Sequence, residues 1–488
     1  MSIIKVTNLT FCYEGSYDNI FENVSFQIDS DWKLGFVGRN GRGKTTFLKL
    51  LLGQYEYEGS ISASVDFEYF PYIVRDKSEN TIDILNHIGG DYELWELERE
   101  LSKLDVMDDV LYRPFETLSN GEQTKVLLAA LFLKENSFLL IDEPTNHLDV
   151  EARKIVADYL NTKKGFILVS HDRLFLDTCV DHILSINKAN IEIQKGNFST
   201  WYYNKQLQDN YEIEKNRELK KDIKRLEATA KQKADWSHRV EATKIGTHQS
   251  DRGHIGHLAA KMMKRSKAIE QRVSRQIEEK SKLLKNIEEA DSLKISPVQY
   301  HSRRLVEFNN VSLFYDEKTV CSNITFTIEQ GDRIALWGKN GSGKSSIIKL
   351  ICGDEIAHSG RFFKGTGLKI SYIPQDTSFL KGRLDDYAKI NQIDESLFKA
   401  ILRKLDFSRV QFEKDIADFS SGQKKKVLIA HSLCEKSNLY IWDEPLNYID
   451  VLSRMQIEEL ILKYKPTMLF VEHDKAFCQN IATKTLFI

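Results

Sequence analysis

Short unbroken apolar runs recur in both halves of the chain. "KLGFVG" (33–38), "SFLLID" (137–142) and "FILV" (166–169) come first; "RIALWG" (333–338), "LYIWD" (439–443) and "MLFV" (468–471) follow. Runs of this length predict buried strands rather than helices. Two of them lead through a glycine-rich loop into an amphipathic run, "GKTTFLKLLL" and "GKSSIIKLI". Strand, loop and helix in that order, met twice, predict an α/β fold. The pattern changes in the middle of the chain. Leu219, Ile223, Leu226 and Ala230 follow helical spacing, as do Leu258, Met262, Ile269, Val273 and Ile277. Between them "KIGTHQSDRGHIGH" has three glycines and no apolar period, which predicts a turn. Two antiparallel helices joined by a tip are expected; about 35 residues each would reach roughly 50 Å.

The halves align at almost constant offset. Lys44 pairs with Lys344, Ser119 with Ser420, Glu143 with Glu444 and His171 with His473, at offsets of 300, 301, 301 and 302. A duplicated domain of about 200 residues explains this, leaving about 100 residues as an insert. Boundaries of 1–200, 201–300 and 301–488 are therefore expected. Net charge is only -2, but it is unevenly divided: residues 220–285 hold 18 Lys and Arg against 8 Asp and Glu. That surplus of 10 leaves about -12 for the rest, so a basic insert separates two acidic domains. The six cysteines show no CxxC spacing, which favours free thiols in a reducing cytoplasm. No apolar run of about 18 residues predicts a membrane span, and the N-terminus lacks the order of a signal peptide.

Each glycine loop has the form GxxxxGK[ST]: Gly38, Arg39, Asn40, Gly41, Arg42, Gly43, Lys44, Thr45 and then Thr46; Gly338, Lys339, Asn340, Gly341, Ser342, Gly343, Lys344, Ser345 and then Ser346. In this context loop amides and the helix N-terminus cradle phosphates. The lysines would reach the β/γ-phosphates, and Thr45 and Ser345 would ligate Mg²⁺. Two apolar strands end in acid pairs: Asp142 and Asp443 suit the Mg²⁺ shell, Glu143 and Glu444 the polarisation of an attacking water. His171 and His473 end further apolar strands, 28 and 29 residues beyond those glutamates, and suit a γ-phosphate contact.

"LSNGEQTK" (118–125) and "FSSGQKKK" (419–426) resemble the LSGGQ signature of ATP-binding-cassette ATPases. That resemblance implies composite sites. Ser119 and Gly121 would face the ATP held by Lys344, and Ser420 and Gly422 the ATP held by Lys44. Tyr13 and Tyr315 match the family's adenine-stacking aromatic, although a core tyrosine reads equally well. Gln375 matches a glutamine that joins the metal shell, whereas Tyr72 stands at that position in the first copy. Asn120 replaces the second signature glycine, and Trp442 is unusually bulky before Asp443.

The inter-copy insert, "DEPTNHLD" and "GNFSTWYYNK" resemble the ABC-F class of translation factors. "LGFVGRNGRGKTT", "WELERELSKLDV" and "RPFETLSNGEQTKVLL" look closer to its Lsa-type antibiotic-resistance members. The resemblance implies a cytoplasmic monomer whose cassettes pair within one chain. It implies binding at the E site of the 70S ribosome beside P-site tRNA, with the linker on 23S rRNA near the peptidyl-transferase centre. Protection from lincosamides, pleuromutilins and streptogramin A would follow. A basic extended insert independently suits RNA phosphates, which makes Arg239, Lys244, His248, Arg252, His254, Lys261, Lys264, Arg265 and Lys267 candidate rRNA contacts. A solvated coiled-coil face would carry the same charges. A housekeeping ABC-F factor and the tandem ATPase of an importer with separate membrane subunits stay open on sequence.

Overall fold

The apolar runs become the central strands of two parallel sheets. The computed structural model describes residues 2–13, 19–89, 92–145, 148–187, 190–242, 264, 293–315, 318–339 and 341–488. In the first copy six strands lie in the order Asp66–Phe70, Ser137–Asp142, Phe166–Val169, Lys33–Val37, His182–Asn187 and Asn190–Lys195. The first five are parallel, and the last turns back antiparallel at the edge. The second copy has five parallel strands: Ile370–Ile373, Leu439–Asp443, Met468–Val471, Arg333–Trp337 and Lys484–Phe487. The runs are continuous rather than alternating because both faces of each sheet are covered. Phe138, Leu139, Leu140 and Ile141 are all buried, as are Tyr440, Ile441 and Trp442.

One face of each parallel sheet packs toward an antiparallel three-stranded sheet. This is Phe21–Asp29, Ile3–Phe11 and Glu58–Ser62 in the first copy, and Lys318–Glu329, Arg304–Tyr315 and Ala357–Lys364 in the second. Phe21, Phe26 and Phe36 meet Phe47 of the loop-following helix at centroid distances of 6.0, 5.8 and 5.5 Å. The helix that carries a phosphate loop is thereby anchored between two sheets. The other face is helical: Thr81–Gly89, Leu94–Lys103 and Asn120–Leu131 in the first copy, Leu384–Ile390, Glu395–Lys404 and Ser421–Cys434 in the second. The bulk of Trp442 is accommodated in this layer, where its indole N–H donates to Ser432 Oγ at 3.0 Å.

Parallel register sets the chemistry at one edge. Asp142 pairs with Val169, and Asp443 with Val471. Glu143 with His171, and Glu444 with His473, therefore leave adjacent strand ends side by side. In an open parallel sheet, ligands bind beyond the carboxyl ends of the strands.

The chain divides into one unit of Met1–Trp201 with Ala290–Ile488, and another of Tyr202–Glu289. The helix Phe198–Ala242 enters the second unit and is 45 residues long, about 68 Å at 1.5 Å per residue. It begins earlier than the apolar period at Leu219 indicates, because Phe198 and Trp201 bury their rings at its start. Lys264 is exposed. The expected second helix and the glycine tip otherwise lie outside the described residues.

A buried carboxylate ties the first copy's helical layer to its core. Glu100, 2 % exposed, accepts from Tyr159 Oη at 2.9 Å and Lys103 Nζ at 2.8 Å, and pairs closely with Lys163. Burial opposes its charge, but these donors outweigh burial and bring its pKa from 4.5 to about 2. Removing one partner of a buried ion pair costs about 3 kcal/mol, since the other charge is left uncompensated. Glu100→Ala is therefore expected to lower the melting temperature more than Lys103→Ala. With the folded pKa depressed, the stabilisation is present above about pH 4.5 and is lost as pH falls toward about 2. Thermal unfolding of both variants between neutral pH and pH 3 checks the size and the sign.

Candidate active site

The phosphate loops need backbone conformations that favour glycine. Gly43 has φ 95°, and a Cβ there would lie 2.5 Å from Ile20 Cγ2; Gly343 repeats this with φ 99° and 3.0 Å to Val320 Cγ1. The helices Lys44–Leu51 and Lys344–Cys352 begin immediately afterwards, so their first amides face the loop. Lys44 Nζ donates to Gly38 O at 2.7 Å, Arg39 O at 3.3 Å and Asn40 Oδ1 at 3.3 Å. Lys344 Nζ donates to Gly338 O and Lys339 O, both at 2.9 Å. Burial lowers the pKa of both ammonium groups. Thr46 and Ser346 are buried behind the loops. Gly41 and Gly341 share φ 81°, and Arg42 and Ser342 lie between the loop glycines. Asn340 lies outside the described residues.

Hydroxyl and carboxylate meet in each copy. Thr45 Oγ1 donates to Asp142 Oδ2 at 3.0 Å, and Ser345 Oγ donates to Asp443 Oδ2 at 3.0 Å. Burial pushes both aspartate carboxyls up, so both gain from a nearby cation. Among the described residues no cluster of three or more His, Cys, Asp or Glu forms a metal site by itself. One hard carboxylate, one hydroxyl and phosphate oxygens are what Mg²⁺ accepts, so the donor set fits that ion. Tyr69 Oη also donates to Asp142 Oδ2, at 3.1 Å, a partner that the strand pattern alone does not reveal.

The two glutamates occupy left-handed backbone, φ 54° at Glu143 and 48° at Glu444. Non-glycine residues seldom adopt it, and such strain concentrates at functional sites. Their amides donate to Val169 O at 2.9 Å and Val471 O at 3.0 Å, which fixes the turn. Beyond that the copies differ. Glu444 accepts from Gln375 Nε2 at 2.9 Å and Asn447 Nδ2 at 2.7 Å, with His473 Nε2 at 3.3 Å. Burial opposes its charge, yet His473, Gln375 and Lys425 hold it below the ordinary value. Glu143 Oε1 lies 3.1 Å from His171 Nε2, buried and without a well-directed hydrogen bond among the described residues. Burial, then the adjacent Asp142, pushes its pKa up to about 8. Burial and Lys44 hold His171 well below its usual range. Tyr72, at the position of Gln375, is 39 % exposed.

The copies contact one another through this edge. A cavity of about 670 Å³ is lined from the first copy by Ser119, Asn120, Gly121, Glu122, Lys125, Leu148, Asp149, Ala152 and Arg153. From the second copy come Gln375, Lys425, Glu444, Asn447, Tyr448 and His473. Ser119 caps the helix Asn120–Leu131, accepting from Glu122 N at 3.2 Å, so that helix N-terminus faces Glu444 and His473 across the cavity. On the opposite side the contact is closer. Asn40 Nδ2 donates to Tyr448 O at 2.8 Å, and a Cβ on Gly422 would lie 3.3 Å from Asn40 Nδ2. Ser420 caps the helix Ser421–Cys434 in the same way, accepting from Gln423 N at 3.3 Å. Asn40 N lies 3.5 Å from Asp450 Oδ2, a fully buried carboxylate. Burial opposes its charge, but Lys426 at 2.9 Å and Lys44 hold it far below the carboxylate range. Further ties are Arg42–Asp406 at 3.1 Å and Arg173–Glu458 at 2.6 Å. Asp450 and Lys426 escape a motif search because their partners come from distant sequence.

Tyr13 and Tyr315 are 40 % and 44 % exposed, so neither is a core residue. Tyr13 Oη lies 2.7 Å from Thr46 Oγ1. In the linker, Arg239 falls within the helix Phe198–Ala242. Lys244, His248, Arg252, His254, Lys261, Arg265 and Lys267 lie outside the described residues.

Similarity to known proteins bears on this geometry. The family model described as ABC transporter matches residues 21–146 and 321–447, one span in each copy. Ribosome protection protein VmlR of Bacillus subtilis is 30% identical over 519 aligned residues, covering 100% of this chain and 86% of that protein. ATP-binding protein Uup of Buchnera aphidicola is 27% identical, covering 100% of this chain and 80% of that one. Among solved structures, archaeal ribosome recycling factor aABCE1, crystallised with the ribosomal stalk protein aP1, aligns with a TM-score of 0.63 at 18% identity. That alignment covers 98% of this chain and 87% of the other. RNase-L Inhibitor aligns with a TM-score of 0.61 at 18% identity, covering 99% and 87%. At such identity these two speak for the fold alone. No helix among the described residues is long and apolar enough to cross a membrane. With two matched spans, both phosphate loops and a relative 30% identical across the whole of this chain, the chain belongs to the ABC-F class of ATP-binding-cassette ATPases.

Proposed function

We propose that the chain is a ribosome-binding ATPase with two composite sites, which protects translation from antibiotics acting at the peptidyl-transferase centre. The observation that carries the ATPase half is the shared cavity, where the Ser119 helix N-terminus of one copy faces Glu444 and His473 of the other. In this reading ATP on the Lys344 loop meets Ser119 and Gly121, and ATP on the Lys44 loop meets Ser420 and Gly422. Tyr13 and Tyr315 offer exposed rings to adenine. Thr45 with Asp142, and Ser345 with Asp443 and Gln375, would hold Mg²⁺. The ion, when bound, neutralises charge on the phosphates. Glu444 accepts the proton of the attacking water while the β–γ bridging bond breaks and its electron pair stays with ADP. His473 contacts the γ-phosphate and keeps Glu444 oriented. Glu143 and His171 take the same roles in the other site.

The ribosomal half rests on the name of VmlR, on its similarity across the whole of this chain and on the basic insert. Binding is at the E site beside P-site tRNA in the ATP state, with release on hydrolysis. The linker touches 23S rRNA through Arg239, Lys244, His248, Arg252, His254, Lys261, Lys264, Arg265 and Lys267. The drugs are lincosamides, pleuromutilins and streptogramin A, and the setting is cytoplasmic. The similarity of Uup across the whole of this chain supports a second reading, a translation factor with no drug phenotype. Growth on those drugs with and without the gene decides between them.

Two experiments test the proposal. Glu143→Gln with Glu444→Gln is expected to cut ATP turnover by about a hundredfold or more, as loss of a general base does, while nucleotide binding persists. Turnover near wild type, read by phosphate release, would remove both residues from the base role. Replacing Lys261, Lys264, Arg265 and Lys267 by Ala is expected to weaken ribosome co-sedimentation by about tenfold or more near 0.1 M salt and to flatten its salt dependence. Basal turnover without ribosomes should stay unchanged, because those residues are not in the phosphate loops.

A further inference from the structure

The copies differ at three positions behind their glutamates. The first has Thr124, Thr145 and Ser170; the second has Lys425, Leu446 and Glu472. In the first copy these are small hydroxyls with local work. Thr124 Oγ1 donates to Asn120 O at 3.0 Å within its own helix, and Thr145 Oγ1 lies 3.3 Å from Ser170 Oγ. In the second copy the places are taken by a buried ammonium and a buried carboxylate, 3 % and 4 % exposed.

Both charged groups hold backbone around Glu444. Lys425 Nζ donates to Pro374 O at 3.0 Å and Asp443 O at 3.4 Å. Pro374 directly precedes Gln375, which donates to Glu444, and Asp443 directly precedes Glu444 itself. Glu472 Oε1 accepts from Leu446 N at 2.7 Å, and Oε2 from His473 N at 3.2 Å. Leu446 leads into Asn447, which also donates to Glu444, and His473 is its third neighbour. Burial pushes the pKa of Lys425 down and that of Glu472 up, and of the acids around Lys425 it is Glu472 that favours its charged form most. Each of the three side chains that orient Glu444 therefore stands on backbone clamped by Lys425 or Glu472. Two buried charges of opposite sign are costly unless each is well bonded, and a gain in positioning is what such a brace returns.

We infer that Lys425 and Glu472 are positioning residues for Glu444, a pair of buried backbone braces that only the second copy carries and that makes the two hydrolytic sites unequal. The inference rests on Glu444 acting as base. It goes beyond that role by assigning the asymmetry between the sites to residues that act through the backbone on either side of Glu444.

The test uses the full-length chain carrying Glu143→Gln, so that turnover reports the Glu444 site. Lys425→Met and Glu472→Gln are each expected to lower kcat about tenfold or more, the scale of a modest misplacement of a reacting group, with KM for ATP within about twofold. Lys425→Gln, which keeps an N–H donor for the two carbonyls, should recover part of the loss. A merely structural role would instead lower the melting temperature without splitting kcat from KM, and Gln would not rescue it. If Lys425→Met or Glu472→Gln leaves kcat within about twofold of its parent while Glu444→Gln abolishes turnover, the brace is overturned and the base assignment stands. If Glu444→Gln itself leaves turnover unchanged, the base assignment fails and takes the brace with it.

Discussion

Two ammonium groups held out of water, those of Lys44 and Lys344, are the constraint around which this chain is organised. Each is buried under a phosphate loop and bonded to loop carbonyls, which solvate its protons but do not match its charge. A buried cation of this kind is stable only with an anion in reach. For Lys44 the strongest such field comes from Asp450 of the other copy. The demand for negative charge at the loop is therefore also a demand that the copies meet, and nucleotide phosphates answer the same demand.

The rest of the fold delivers groups to that edge. Parallel register puts each Asp–Glu pair beside the strand that ends at its histidine. The antiparallel sheet fixes the loop helix from behind, and the helical layer presents a capped N-terminus to the partner copy. Equal scaffolds do not make equal sites. Glu444 is held by Gln375, Asn447 and His473, whereas Glu143 stands beside His171 with a buried oxygen that has no directed donor among the described residues.

Much of this was legible in the sequence, for identifiable reasons. Glycine loops are readable because few residues tolerate their backbone, and the strands because burial on both faces removes polar alternation. The duplication was readable from a nearly constant offset, and the family from the signature segments. Less legible were groups whose meaning lies in a partner far away along the chain. Lys425 looks like one more lysine in a basic helix start, yet it reaches Pro374 O, 51 residues distant. Glu472 reads as a serine replacement at a strand end, and Asp450 as a helix cap. The Glu100 cluster is hidden because Tyr159 comes from another helix and Lys163 from just beyond its end. The linker helix starts at Phe198, where aromatic packing rather than amphipathic period sets its beginning.

The central claim is that each hydrolytic site is shared between the copies, and an epistasis measurement reaches it directly. Gly121→Asp places a carboxylate at the first copy's signature. It should disable the site of Glu444, not that of Glu143. Steady-state turnover of Gly121→Asp with Glu444→Gln should therefore equal that of Glu444→Gln alone, while Gly121→Asp with Glu143→Gln should lose all turnover. The reverse pattern, with Gly121→Asp adding nothing to Glu143→Gln, would mean that each site lies within one copy and would contradict the account.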